Sequence, residues 1–321
     1  GGKVWRALYA AQALAVAIAT DVAEVVGGAI ALNLLFGLPL PAGAIIVGLV
    51  AVVMLQWLRS RGEVFFEVLL IGVLAIIALG FMTSLLWLPP DPVQVVGGLV
   101  PRFAGAESLQ LAAAMLGATV MPHAVYLHSE LARARHEGSD ETLPRLLRVQ
   151  RVDVVVALTV AGIVNVSMLL FAAAALRGST VDSIEAAHGE ITALVGPVAA
   201  TVFAVGLLFS GVGSAIVGTD AGAGMVRDLV SPKITPTVRR LITLVPAVAI
   251  LMLGLPPTQA LVQSQLILSF GIGFAVVPLV AMTASRATMG EHRNPAWLTA
   301  VAWAVVAAVL ALNVAVIVTS F

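Results

Sequence analysis

Gly117-Ala-Thr-Val-Met-Pro-His-Ala-Val-Tyr-Leu-His128 sets a proline in the middle of an apolar segment long enough to cross a membrane. Proline has no backbone N–H, so the carbonyl four residues earlier, that of Ala118, loses its helical donor. Met121 places a soft thioether one turn along from that oxygen. A free carbonyl beside a thioether inside a membrane has the chemistry of a half-site for a transition-metal ion. Interrupted helices are also where membrane transporters hold their ions.

The rest of the chain supplies the membrane. Of its 321 residues, 60% are hydrophobic and 11% charged, and the mean hydropathy is +1.06. Soluble domains carry about 25% charged residues, so the composition is that of a polytopic, all-α membrane protein. Cysteine is absent, which excludes disulfides and thiolate metal sites. The net charge is zero, which gives no reason to expect a nucleic-acid partner. The partner that composition implies is the lipid bilayer.

Nine apolar segments are predicted as membrane helices, at about 7–35, 41–58, 64–88, 108–131, 149–177, 191–226, 236–254, 258–285 and 295–320. Polar stretches at 133–151 and 177–190 read as loops or as helices outside the bilayer. If the nine alternate in direction, only Arg102 and Arg177 of the 17 Lys and Arg fall with one set of connections; the other 15 lie in or beside the opposite set. That asymmetry predicts a cytoplasmic N-terminus for this chain, with the 132–148 loop on the same side.

Ionisable groups inside apolar spans are costly and point to function. Asp21 and Glu24, three residues apart, share one face of the first span and suit proton transfer. The bland alternative is an interhelical hydrogen-bonding pair. His123 is two residues beyond Met121, so a regular helix would point the two in different directions. A proton relay fits it better than metal ligation; a hydrogen bond to a neighbouring helix is the plainer reading. His128 reads as interfacial. Arg239 and Arg240 open the seventh segment; an anchor role suffices for one, and the other is placed to pair with Asp21 or Glu24 if their helices adjoin. Gln265, beside Ser264, offers an amide to a cation or to a neighbouring helix. Asp220, in Gly218-Thr-Asp-Ala-Gly-Ala-Gly224, reads as water-facing or salt-bridged.

At these residues the chain resembles the Nramp family of proton-coupled divalent-metal transporters. Ala-Thr-Asp-Val-Ala-Glu at 19–24 looks like the family's third helix, Met-Pro-His at 121–123 like its sixth, and Ser264-Gln265 with Leu268-Ser-Phe-Gly-Ile272 like its tenth. The resemblance implies a LeuT-type inverted-repeat fold. Residues 1–88 would be the remainder of the first repeat (helices 3–5), 108–285 the second (helices 6–10), and 295–320 an additional helix. It implies Ala118, Met121 and Gln265 as metal-site residues, and Asp21, Glu24, His123, Arg240 and Arg239 as the proton pathway. The family's first-helix Asp-Pro-Gly-Asn does not occur here; Asp91-Pro92 lies in a connection between spans. By that alignment the sequence starts at the third helix.

The function expected is import of Mn²⁺ or Fe²⁺, with Cd²⁺ and Co²⁺ also accepted, coupled to protons by alternating access. The protein would be a monomer in a bacterial inner membrane, with no prosthetic group. Mg²⁺ prefers hard oxygen ligands, so Met121 weighs against a Mg²⁺-selective relative. An organic-solute transporter of the same fold has no use for the thioether; a non-transporting scaffold is the reading that takes the absence of the Asp-Pro-Gly-Asn helix literally, and a preceding Asp-Pro-Gly-Asn on an apolar helix would decide for the transporter. An intramembrane metalloenzyme would need a spacing such as His-Glu-x-x-His, which does not occur.

Overall fold

The computed structural model describes residues 2–61, 89–100, 102–136, 143–176, 181–225 and 235–320, with isolated positions between 65 and 86 and at 227. All regular structure among these is helical: α1 (Gly2–Phe36), α2 (Leu40–Arg61), α3 (Pro92–Gly98), α4 (Ala106–Thr119), α5 (Pro122–His136), α6 (Leu143–Ala175), α7 (Ile184–Leu194), α8 (Pro197–Met225), α9 (Pro236–Met252), α10 (Pro257–Ala284), α11 (Arg286–Met289) and α12 (Ala296–Ser320). Helix is the expected outcome, because a chain in lipid must satisfy its backbone polar groups within each segment.

Seven spans among the described residues are long and apolar enough to cross a membrane: Val4–Phe36, Leu40–Trp57, Ala106–Arg133, Leu143–Ala175, Pro197–Gly224, Pro257–Ala284 and Ala296–Thr319. The segment expected at 64–88 lies largely outside the described residues. One expectation needs correction. The segment at 191–226 is two helices, because Gly196 takes φ +111° and Pro197 cannot donate to the preceding turn. Its first part is α7, whose N-cap Ser183 accepts from the Ala186 N–H at 3.1 Å. The segment at 236–254 is α9, only 17 residues long with Pro246 inside it; at 1.5 Å per residue it reaches about 26 Å. The polar stretch at 133–151 continues α5 to His136 and starts α6 at Leu143.

The chain divides into two compact units, with divisions inside α1, α5 and α8. One comprises residues 1–23, 102–127 and 218–321. In it α4, α10 and α12 pack on one another around Ala113, Ala114, Leu266 and Val316. A reciprocal bond fixes α12: Ser269 Oγ donates to Asn313 Oδ1 at 2.8 Å, and Asn313 Nδ2 donates to the Ser269 carbonyl at 2.9 Å. A second cluster, Ala13, Val16, Ala19 and Leu268 with Tyr126 against it, joins α1, α10 and α5.

The other unit comprises residues 24–101 and 128–217. Gly37, at φ +68°, turns the chain from α1 into α2, with its N–H on the Asn33 carbonyl and the Asn33 amide on the Leu38 carbonyl, both at 2.8 Å. A Cβ at Gly211 would sit 2.6 Å from the Gly28 backbone nitrogen, so α8 and α1 meet backbone to backbone. Phe171, Ala175, Ile191, Ala199 and Ala200 form the core where α6, α7 and α8 meet.

Candidate functional site around the α4–α5 break

The apolar span Ala106–Arg133 is one segment in sequence and two helices in space. α4 ends at Thr119; Val120 leaves helical geometry at φ −108°, ψ 87°, and α5 restarts at Pro122. The Val120 N–H still reaches the Leu116 carbonyl at 2.8 Å, and the Ala124 N–H turns to the Met121 carbonyl at 3.1 Å. Pro122 offers the Ala118 carbonyl no donor. Ala118 is exposed at the end of α4, and Met121 is half-buried in the break itself. Of the expected ligands, these two therefore flank one interruption.

Gln265 is brought to the same place. A Cβ at Gly117 would overlap the Gln265 carbonyl oxygen and stand 2.8 Å from the Ser269 backbone nitrogen. Only glycine at 117 allows α4 to lie directly on the α10 backbone, one residue before Ala118. The Gln265 side chain is half-buried, and its Oε1 has no hydrogen-bond partner among the described residues. Its neighbour Ser264 is satisfied, donating to the Leu261 carbonyl at 2.7 Å. On that stretch of α10, Gln259, Gln263 and Ser264 are the polar lining of an otherwise apolar cleft of about 500 Å³ shared with α1.

His123 turns toward α1. Its Nδ1 lies 2.9 Å from Thr20 Oγ1, and both residues are buried. The divergence from Met121 expected of a regular helix has a different cause here, because Met121 lies outside the helix and Thr20 holds the ring. Asp21, next along α1, is 1% exposed. Its two carboxylate oxygens have no hydrogen-bond partner of good geometry among the described residues, although Thr243 lies beside them. The Thr243 hydroxyl donates to the Arg240 carbonyl at 3.1 Å. Arg240 is itself buried and partnered, so Asp21 and the start of α9 share one neighbourhood.

Glu24, in the other unit, is buried and partnered too. Arg239 lies in α9, with its side chain outside what the structure describes. His128 is exposed and bonds Gln150 through Nε2 at 2.9 Å, in keeping with an interfacial position. Asp220 is half-buried and partnered. Among the described residues no three His, Asp, Glu or Cys side chains gather as a metal cluster.

Sequence reasoning overlooked Thr20, Thr243, Gln12 and the Ser269–Asn313 pair. Each was visible as a polar residue in an apolar span, but nothing local says which helix it faces.

Comparison with known proteins covers nearly the whole chain. The sequence profile of Nramp, natural resistance-associated macrophage protein-like, matches residues 1–319. A divalent metal cation transporter MntH of Mycobacterium tuberculosis is 52% identical over 320 residues, spanning 98% of this chain and 74% of that one. The protein of the same name in Bacillus subtilis is 40% identical, spanning 95% and 73%. Crystal structures of variants of the Eremococcus coleocola manganese transporter superpose with a TM-score of 0.80 at 26% identity, over 96% of this chain and 70% of that one.

Proposed function

The chain belongs to the Nramp family, and from that premise we propose that it imports divalent transition metals, Mn²⁺ and Fe²⁺ first, with proton coupling by alternating access. The family and its named members are metal transporters rather than enzymes, and the fold is the LeuT-type fold of those structures. The domain reading goes with the proposal: residues 1–88 complete a first repeat, 108–285 form the second, and 295–320 add a helix.

The observation that carries the reading is the α4–α5 break. An ion reaching it meets the Ala118 carbonyl and the Met121 thioether on one strand of chain, with Gln265 held against that strand through Gly117. A hard carbonyl oxygen combined with a soft sulfur favours Mn²⁺, Fe²⁺, Co²⁺ and Cd²⁺ over Mg²⁺ and Ca²⁺. Protons take a separate route. His123, on its Thr20 bond, and Asp21, beside Thr243, sit together on α1 and its neighbours. Glu24, Arg240 and Arg239 extend that route. The orientation proposed is a cytoplasmic N-terminus in a bacterial inner membrane, and the working form is a monomer.

The test uses the protein in proteoliposomes, with Mn²⁺ entry followed against excess Mg²⁺ for wild type and Met121→Ala. The expected result is uptake that resists Mg²⁺ in wild type and loses most of that resistance in the variant. Equal Mg²⁺ inhibition of both would assign Met121 to packing and favour a Mg²⁺ or organic-solute transporter. Acidifying the outside should accelerate Mn²⁺ entry; indifference to pH would remove proton coupling.

A further inference from the structure

Two glutamines lie on helices packed against the α4–α5 break, and one of them, Gln265, belongs to the site described above. The other is Gln12 on α1. A Cβ built on Gly271 of α10 would lie 3.2 Å from Gln12 Nε2 and 3.3 Å from Pro122 Cγ. Gln12, the first residue of α5 and Gly271 therefore share one small space. Gly271 follows Gln265 by six residues, about 9 Å along α10. α10 thus touches the chain on both sides of the break: Gln265 meets it at Gly117, before the break, and Gly271 meets it at Pro122, after the break.

Neither Oε1 nor Nε2 of Gln12 has a hydrogen-bond partner among the described residues, and both atoms are buried. A buried polar group left unpaired is destabilising, and a leucine of similar shape would not incur that penalty. Interhelical adhesion does not account for Gln12, since adhesion requires a partner. Gln265 Oε1 shares this state on the other side of the break. One turn beyond Gln12 and Gly271, on the same end, Tyr9 and Phe274 meet edge to face with ring centroids 5.7 Å apart. The amide thus sits between the interruption and an aromatic contact.

We propose that Gln12 is a further polar contact of the transported cation's path, receiving the partly hydrated ion after it leaves the break and before it passes the Tyr9–Phe274 contact. Small divalent ions give up water reluctantly. Waters held by the ion donate to Oε1, and Nε2 donates to waters around it. The space is closed in this structure, since a Cβ at Gly271 would also stand 2.5 Å from Val16 Cγ2; the amide meets the ion's waters when these helices part during transport. The accepting oxygen of the side chain is what a hydrated ion in transit uses, through the protons of its waters. Gln12 therefore acts on the rate of passage, while Met121 acts on the choice of ion.

This inference rests on the transport reading, and the experiment separates the two. Initial rates of Mn²⁺ uptake by the protein in proteoliposomes are measured for wild type, Gln12→Leu, Gln12→Asn and Gln12→Glu, at concentrations that resolve the maximal rate from KM. Gln12→Leu is expected to lower the maximal rate about tenfold with KM changed less than twofold, and to keep the wild-type resistance to Mg²⁺. Gln12→Glu, which retains an accepting oxygen at the same reach, is expected to recover most of the rate. A merely structural role predicts the opposite rescue, because a buried carboxylate packs worse than leucine. Should Gln12→Leu fail to yield folded protein, Gln12→Asn carries the test, with a rate clearly below wild type expected. Wild-type rates in the folded Gln12 variants overturn the inference and leave transport standing. A wild type that moves no Mn²⁺ overturns both.

Discussion

The spans Val4–Phe36 of α1 and Leu143–Ala175 of α6 are each 33 residues of apolar helix, yet in the most apolar 18-residue stretch of each, 83% of α1 is buried against 17% of α6. Their side chains explain the difference. The middle of α1 carries small residues at Ala13, Ala17, Ala19, Gly28 and Ala29, which let neighbours approach to backbone distance, and Thr20, Asp21 and Glu24, which cannot face hydrocarbon. The exposed face of α6 is Val155, Val156, Leu158, Ile163, Val166 and Leu169, bulky residues with no polar atom to satisfy. Apolar character alone says that a helix enters the membrane; small and polar residues say that it is surrounded by protein.

The contrast can be broken at its strongest point by crowding the contact that buries α1. Gly211→Leu would drive side-chain atoms into the Gly28 backbone, 2.6–2.7 Å from its Cβ. Backbone cannot yield as a flexible side chain can, so the expected outcome is loss of monodisperse protein on size exclusion in detergent. A well-behaved Gly211→Leu would show that the close approach is dispensable. Next in size is Leu158→Asp, at a position 67% exposed on α6. If that face meets lipid, the charge costs about 2.5–3.5 kcal/mol near the helix centre, and the membrane-inserted fraction should fall in a glycosylation-mapping assay. Unchanged insertion would mean that the face is covered by protein or wetted.

Smaller effects sharpen the comparison. Asn313→Leu removes both bonds to Ser269, and Thr20→Val removes the bond to His123. Interhelical hydrogen bonds in membranes average about 0.6 kcal/mol and reach about 1.7. Each variant should lower the Tm in detergent by a few degrees, Asn313→Leu the more, and a Tm equal to wild type would show that the bond is replaced. Smallest is Leu158→Ala, which trades one lipid contact for another; its Tm should stay within about a degree of wild type, because no packed cavity is created. A drop like that of a core truncation would place α6 in an interior.

Much of the fold was legible before any coordinates. Pro122 announces the interruption of the fourth span because a missing N–H is a local fact, and the break indeed falls at Val120 and Met121. The buried acids were legible for the same reason: a carboxylate in an apolar run is improbable unless something receives it. The split at Gly196 and the shortness of α9 were less legible, since apolar character runs through 191–226 and 236–254 without marking where helices end. At the site, the sequence names Ala118, Met121 and Gln265, but not that Gly117 is the residue that lets α10 touch the break. It names His123 and not its Thr20 partner.

The sequence by itself determined that this is a membrane-spanning helical protein, where most of the described spans lie, where one of them breaks and which side chains are chemically out of place in lipid. All of these follow from bonds between residues four apart and from transfer of single side chains out of water. Tertiary structure decided which faces are shared: the backbone contacts at Gly117 and Gly211, the Thr20–His123 bond, the Asn313 clamp and the unpaired amide of Gln12 beside Gly271. The physical reason is that lipid tails are as apolar as leucine. Hydropathy gives a protein-facing and a lipid-facing residue the same value, and only packing between distant segments tells them apart.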